Sequence, residues 1–241
     1  MLTDSFKHIQ TGRLNLSIHL PSTSKLALMD FIAEQLPGWR DHPDRPTEFA
    51  ETTLTEHLCD YLNGVANFST DWSHVQFRTE TGDESRAGRK IDLSVKPRGV
   101  DIFIEGRRHT QFQALFPIEC KRLPTPPGKD RDEREYVFTK NGTTGGIQRF
   151  KLGLHGASHS FAAMIGYVQG LSFSYWLNQI NGWIHDLSLK HKSAWSGSDA
   201  LKALTDDPVL GISTLHSSHD RKGLGICEVR HVWISMIELH S

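Results

Sequence analysis

The feature that most constrains the fold is the apolar run ALFPIEC at residues 114–120, which is followed by Lys121. A run of this kind predicts a buried strand at the centre of a sheet. Because side chains alternate along a strand, Glu119 and Lys121 project from one face and Cys120 from the other. An acid and a base in an apolar strand cost desolvation energy, which pairing or a bound ligand would lower.

A second strand is predicted at residues 90–96, where apolar residues alternate with Asp92 and Ser94. Residues 47–63 have the apolar spacing of a helix, with Thr47 as the expected N-cap. Glu51 lies on or beside the buried face of this helix. A carboxylate in such a place is unusual unless it has a partner.

The remaining segments predict further elements of both kinds. Helices are expected at 24–36, where Pro37-Gly38 would stop the helix, and at 145–154 and 172–189. Strands are expected at 75–80, 100–105 and 161–169, and a hairpin at 209–216 and 225–239. We therefore predict an α/β (α+β mixed) fold with a central mixed sheet flanked by helices. The chain is interpreted as one domain over 1–241, with a core at 47–170, a helical extension at 1–46 and a C-terminal helix and hairpin at 171–241.

Charge and cysteine content exclude several classes of protein. The chain of 241 residues has 27 Lys and Arg against 28 Asp and Glu, so any binding to a phosphate backbone requires local positive charge. Three separated cysteines and fourteen histidines show no zinc-binding spacing and no disulfide framework. With no leader and no membrane span expected, we predict a cytoplasmic location.

The acids and the lysine have the chemistry that phosphodiester cleavage requires. Hard cations such as Mg²⁺ take oxygen ligands, which the carboxylates of Asp92 and Glu119 and the carbonyl of Cys120 would supply. A metal lowers the pKa of water and neutralises developing charge. Lys121 would orient the attacking water or stabilise the transition state. Glu51 would reach the same ion from the preceding helix.

A helix with an acid, a strand with Asp and a strand with Glu-x-Lys resemble the PD-(D/E)xK nuclease superfamily, over roughly residues 47–170. The resemblance implies a restriction-endonuclease-like core in which Asp92 and Glu119 bind metal and Lys121 assists catalysis. It places the helix acid at Glu51, with Glu48 and Glu56 as rivals. Two departures are the Ile91 that replaces the proline of the motif and the long interval between the two strand acids.

The resemblance also implies supporting residues on the helix after the third strand. Gln148 would touch the metal-bound water or orient Lys121. The nucleic-acid contacts are expected at Arg89, Lys90, Arg149 and Lys151, aided by the helix N-terminus at Gly145-Gly146. The expected cofactor is Mg²⁺, for which Mn²⁺ can substitute.

These features favour a metal-dependent DNA endonuclease, and the family suggests a role in restriction or defence against foreign DNA. A homodimer is an expected state, since many relatives act as homodimers, and a partner subunit of a defence system stays open. Two alternatives remain: a non-catalytic nucleic-acid-binding or assembly subunit that keeps the fold, and a nuclease of RNA or single-stranded ends.

Overall fold

The computed structural model describes residues 18–19, 25–47, 50–84, 88–104, 106–129, 131–140 and 142–237. The helices in these ranges are α1 (Lys25–Arg40), α2 (Glu51–Phe68), α3 (Gly146–Lys151) and α4 (Phe173–Lys190), with a short 3-10 helix at Gly197–Asp199. The strands are β1 (Ile18–His19), β2 (Val75–Gly82), β3 (Lys90–Pro97), β4 (Ile102–Ile104), β5 (Arg107–His109), β6 (Phe116–Leu123), β7 (Phe161–Val168), β8 (Lys202–Asp207), β9 (Ile212–Arg221) and β10 (Gly225–Ser235).

Seven strands form one mixed sheet in the order β2-β3-β6-β7-β10-β9-β8. The pairs β6–β7 and β7–β10 are parallel, and the other neighbours are antiparallel. The predicted mixed α/β architecture with a central mixed sheet is confirmed. The chain between β3 and β6 leaves this sheet, because β4 and β5 pair with β1 in a separate small sheet.

Helices cover both faces of the large sheet, which explains why its central strands are so apolar. Helix α2 buries Leu54, Leu58 and Leu62 against one face, together with α1. Helix α4 buries Ile180 and Ile184 against the other face. Every residue of β7 is buried, as expected for a central strand that is covered on both sides.

Several predicted boundaries are wrong. Helix α1 passes through Pro37 and ends at Arg40, because Trp39 in its last turn is fully buried. The N-cap of α2 is Ala50, which makes no side-chain cap, so Thr47 is not the capping residue. Helix α2 also runs on to Phe68, and α3 ends at Lys151 instead of 154.

None of the helices that the structure describes combines the length and the apolar composition that a membrane crossing needs.

Candidate active site

The pairing of β3 with β6 brings Asp92 next to the Glu-x-Lys strand. The antiparallel register sets Leu93 opposite Ile118. Asp92 Oδ2 accepts a hydrogen bond from the backbone amide of Cys120 at 2.9 Å. The long interval between the strand acids therefore does not separate them, because the β4–β5 excursion returns the chain to β3.

Lys121 is the centre of the site. Its Nζ donates to Glu51 Oε1 at 2.9 Å, to the carbonyl of Cys120 at 2.7 Å and to Asp92 Oδ2 at 3.3 Å. Glu119 Oε2 lies 3.7 Å from the same nitrogen. Burial alone would lower the pKa of Lys121, but the carboxylates of Asp92, Glu51 and Glu119 raise it. The side chain is therefore a buried ammonium group surrounded by carboxylates.

Glu51 is the helix acid that reaches this group. Besides accepting from Lys121, its second oxygen accepts from the backbone amide of Arg122 at 3.3 Å. Glu56 is exposed on the next turn of α2. Glu48 lies outside the described residues. Glu51 is positioned by the buried leucine face of α2, which fixes the first turn of the helix at the end of β6.

Glu119 is fully buried, and both of its carboxylate oxygens already have cationic or hydrogen-bonding partners. Arg149 Nη1 donates to Oε2 at 2.6 Å, and His155 Nδ1 pairs with Oε1. Burial alone would raise the pKa of Glu119, but the hydrogen bond from His155 and the charges of Lys121 and Arg149 lower it to about 2. Glu119 is thus held as an ionised carboxylate.

Asp92 is in a different electrostatic environment. Burial and the neighbouring charge of Glu119 raise the pKa of Asp92 to about 7, against the opposing effects of Lys121 and the Cys120 amide. About a quarter of the Asp92 side chain is exposed, whereas Glu119 has no exposed surface. Asp92 is therefore the strand carboxylate that solvent and solutes can reach.

These groups open into a cleft of about 930 Å³. Its lining includes Glu51, Asp92, Lys121 and Arg149. The other lining residues carry charges of both signs, with two threonines and one glycine: Lys129, Arg131, Asp132, Glu133, Glu135, Thr139, Lys140, Gly142 and Thr144. Apart from Gly142, every residue in this lining is of a charged or polar type.

The oxygen atoms around Lys121 Nζ are suitable ligands for a hard cation. Carboxylates and a backbone carbonyl are the oxygen ligands that Mg²⁺ and Mn²⁺ prefer. Glu51, Asp92 and the carbonyl of Cys120 contact the ammonium group, which stands where such a cation would be held. In the part of the chain that the structure describes, no group of three or more His, Cys, Asp and Glu side chains is arranged to hold a metal ion. Lys121 lies among the acids instead.

The α3 residues do not all have the expected roles. Gln148 is buried, and its side-chain carbonyl accepts from the backbone amide of Thr139 at 3.2 Å. This contact is to a residue that lines the cleft and not to Lys121. Lys151 is buried and binds Asp199 at 2.8 Å, which is inconsistent with the predicted phosphate contact. The reason is geometric: at about 100° per residue, Arg149 and Lys151 point to opposite sides of a helix.

The N-terminus of α3 is not a phosphate site either. The amide of Gly146 donates to Glu135 O at 2.9 Å, that of Ile147 to Tyr136 O at 3.1 Å, and that of Gln148 to Val137 O at 2.9 Å. These donors would otherwise be free to bind an anion. Here they attach α3 to the loop that precedes it.

The two cations at the start of β3, Lys90 and the preceding Arg89, lie at the periphery. Lys90 is exposed and pairs with Glu80 at 2.5 Å. Arg89 Nη2 lies 3.4 Å from the hydroxyl of Thr143, next to the cleft-lining residues Gly142 and Thr144. Arg89 therefore stands close to the rim of the cleft, whereas the described contact of Lys90 is a surface ion pair.

His155 is the site residue that sequence reasoning missed. It follows α3 in a loop, where its backbone amide donates to Arg149 O at 3.2 Å. No local periodicity distinguishes it from the other thirteen histidines. Its contact with Glu119 spans 36 positions of the chain, so only the tertiary structure reveals it.

Comparison of the chain with protein-family models, with curated proteins and with solved structures gave no match.

Proposed function

We propose that this chain is a divalent-metal-dependent phosphodiesterase with a PD-(D/E)xK, restriction-endonuclease-like core, and that its substrate is DNA. The observation that carries the proposal is the position of Lys121, whose ammonium group lies among Glu51, Asp92, Glu119 and a backbone carbonyl at the side of an open cleft. Gathering acids around one buried cation costs desolvation energy, and such clusters with shifted pKa values are concentrated at functional sites.

Asp92, Glu51 and the carbonyl of Cys120 are the groups that would hold the cation. When bound, a divalent cation supplies Lewis acidity towards phosphate oxygens and makes water easier to deprotonate. Both acids are partly exposed on the cleft side, so a hydrated ion can reach them. Glu119 acts differently, because its two oxygens are bound by Arg149 and His155.

The cationic side chains have separate roles in this proposal. The surrounding carboxylates raise the pKa of Lys121, which favours its ammonium form. In this proposal Lys121 therefore donates hydrogen bonds to an attacking water or to a phosphate oxygen. Arg149 lines the cleft while it neutralises Glu119. It therefore places a guanidinium group beside the path of a phosphate without adding net charge to the site.

A second candidate is a non-catalytic nucleic-acid-binding or assembly subunit that keeps the fold. The observation that favours it is the position of Glu119, which is fully buried, pairs with Arg149 and His155, and is not among the residues that line the cleft. That leaves one strand carboxylate fewer in the cleft than the family pattern implies. Metal-dependent cleavage separates the two candidates. The proposed role in restriction or defence, the homodimer and any partner subunit rest on the family resemblance alone.

The first test is cleavage of supercoiled plasmid and linear duplex DNA in Mg²⁺, Mn²⁺ or EDTA, with RNA and single-stranded DNA in parallel. The wild type is compared with Glu51→Gln and with Glu56→Gln, a matched control on the exposed side of the same helix. We expect cutting that EDTA abolishes, a loss of about 100-fold or more in Glu51→Gln, and no change in Glu56→Gln. If Glu51→Gln cut DNA as fast as the wild type and Glu56→Gln, Glu51 would not belong to the site.

A second test does not require turnover. Lys121→Met removes the resident cation from the carboxylates while keeping most of the length of the unbranched side chain. We expect Mn²⁺, measured by isothermal titration calorimetry, to bind the variant about tenfold or more tightly than the wild type, because the ammonium group no longer competes. Unchanged or weaker binding would show that these oxygens do not form a cation site, and would favour the non-catalytic subunit.

A further inference from the structure

A second buried polar cluster lies on the opposite side of α3 from the cleft. It is a continuous series of side chains, each no more than 6% exposed, that crosses the core between the sheet and α4. The contacts in order are Lys151 Nζ to Asp199 Oδ1 (2.8 Å), Asp199 Oδ1 to His219 Nδ1 (2.8 Å), His219 Nε2 to Ser217 Oγ (2.7 Å), Ser217 Oγ to His231 Nε2 (2.8 Å), His231 Nδ1 to Tyr136 Oη (2.9 Å) and Tyr136 Oη to Trp233 Nε1 (2.8 Å).

The two ends of this series determine its proton order when both imidazoles are neutral. At one end the Asp199 carboxylate accepts, so His219 donates to it from Nδ1, and the neutral ring then accepts from the Ser217 hydroxyl through Nε2. At the other end the Trp233 indole can only donate. Tyr136 therefore accepts from Trp233 and donates its own proton to His231 Nδ1.

The two halves meet at Ser217 without conflict. His231 accepts at Nδ1, so it carries its proton on Nε2 and donates to Ser217 Oγ. The serine thus accepts once and donates once, and every group in the series is satisfied. This arrangement requires both imidazoles to be uncharged, with His219 as the Nδ1 tautomer and His231 as the Nε2 tautomer.

Burial agrees with uncharged imidazoles. Burial lowers the pKa of His219, although the carboxylate of Asp199 acts in the opposite direction. Burial, with the neighbouring His219, His216 and Arg230, places the pKa of His231 well below its usual range.

Asp199, His219 and Ser217 have the contacts of a hydrolase triad, but they are not positioned to act as one. Ser217 is 1% exposed, and its oxygen already takes the hydrogen bond from His231. A substrate carbonyl has no route to a hydroxyl that is sealed between a sheet and a helix. The cluster therefore has another role.

Both ends of α3 are attached to the cluster. Lys151, at the C-terminal end of the helix, binds Asp199. At the other end the carbonyl of Tyr136 accepts from the amide of Ile147 at 3.1 Å. Between these attachments, Arg149 reaches the opposite way to Glu119. A helix of six residues has little stability of its own, so its position depends on such attachments.

We propose that the Lys151–Asp199–His219–Ser217–His231–Tyr136 series is a positioning device that holds α3, and with it Arg149, against Glu119. The series acts through α3 and touches no substrate. Ser217 is its critical member, because its hydroxyl joins the two halves. Any effect of this positioning on cleavage, through Arg149, rests on the proposed function. The effect on the position of α3 does not.

Hydrogen–deuterium exchange of Ser217→Ala tests the attachment of α3. The substitution leaves His219 Nε2 and His231 Nε2 without a partner in the core, which strands buried polar groups. We expect amide exchange in residues 146–151 to accelerate about tenfold or more, while exchange in β7 changes much less. The matched control is Ser213→Ala, a buried serine on the same face of β9 whose hydroxyl contacts Thr205 O outside the series. Equal exchange of α3 in the two variants would overturn the proposal.

The tautomers of His219 and His231 provide a second test, because the proposed hydrogen-bond order through Ser217 requires a different tautomer at each histidine. Long-range ¹H–¹⁵N spectra of ¹⁵N-histidine-labelled wild type at pH 7 should show His219 protonated on Nδ1 and His231 on Nε2, assigned by loss of each signal in His219→Gln and His231→Gln. Identical tautomers, or a charged ring at either position, would contradict the proton order. A wild type that shows the expected tautomers and exchange but cuts no nucleic acid would overturn the proposed function and leave the positioning of α3 standing.

Discussion

At the scale of single residues, loss of the ion pair of Arg149 with Glu119 should be strongly destabilising. Arg149→Met leaves a fully buried carboxylate short of one of its partners. Removing one member of such a pair typically costs about 3–5 kcal/mol. We expect a decrease of this size in the free energy of unfolding, measured by urea denaturation and followed by circular dichroism.

Arg131→Met is the matched control for this prediction. Arg131 also lines the cleft and also binds a glutamate, Glu135, at 2.7 Å, but 44% of its side chain is exposed. Exposed pairs contribute about 1 kcal/mol or less. If Arg149→Met lowered the free energy of unfolding as little as Arg131→Met, the contacts of Glu119 with His155 and Lys121 would be enough to stabilise it without the arginine.

The site residues that the sequence correctly predicts to lie together are those whose direction follows from strand periodicity. Asp92, Glu119 and Lys121 come together because side chains alternate along β3 and β6 and the two strands pair. The contacts of His155 and Lys151 depend on where a six-residue helix is placed in the fold. Periodicity within a segment does not contain that information, so the sequence leaves His155 out and assigns Lys151 to the wrong surface.

At the scale of elements, α3 is attached closely to the loop before it, and glycine makes this approach possible. A Cβ added at Gly145 would lie 2.4 Å from the Cα of Phe138, which is backbone and cannot turn aside. We expect Gly145→Ala to lower the melting temperature, with a cost of about 1–3 kcal/mol from overpacking. Differential scanning calorimetry provides the measurement.

Gly182→Ala is the contrasting substitution. Gly182 lies in α4, and nothing is within 4 Å of an added Cβ. Alanine stabilises a helix interior by up to about 1 kcal/mol relative to glycine, so the melting temperature should rise. If the melting temperature fell in Gly182→Ala as well as in Gly145→Ala, the surroundings of α4 at Gly182 would be more tightly packed than the structure indicates.

Elements were predictable where burial leaves a periodic pattern. Strands β3, β6 and β7 and helix α4 carry such patterns, and their predicted positions agree with the structure to within a few residues. Strand β8 was not predicted, because its residues from Lys202 to Asp206 are all exposed and show no alternation. It is a strand only because β9 supplies hydrogen-bond partners along its length. Pairing of this kind is a property of the sheet and not of the segment.

At the scale of the whole molecule, the two hydrophobic cores share the same central strands. Strand β7 supplies Ile165 to the core under α1 and α2 and Met164 to the core under α4. Strand β10 is shared in the same way, through Ile234 and Trp233. Because the same strands form one wall of each core, disruption of the sheet would expose both cores at once. The described fold should therefore unfold as one unit.

Incorporation of 5-fluorotryptophan gives each core its own probe in the intact chain. Trp39 is buried in the core under α1 and α2, and Trp176 in the core under α4. The two ¹⁹F signals, assigned through Trp39→Phe and Trp176→Phe, should convert to their unfolded positions at the same urea concentration, together with the far-ultraviolet circular dichroism. Separate midpoints would mean that one helical layer detaches while the sheet persists. Because Glu51 comes from one layer and Arg149 from the other, the candidate site would then be lost before the sheet itself unfolds.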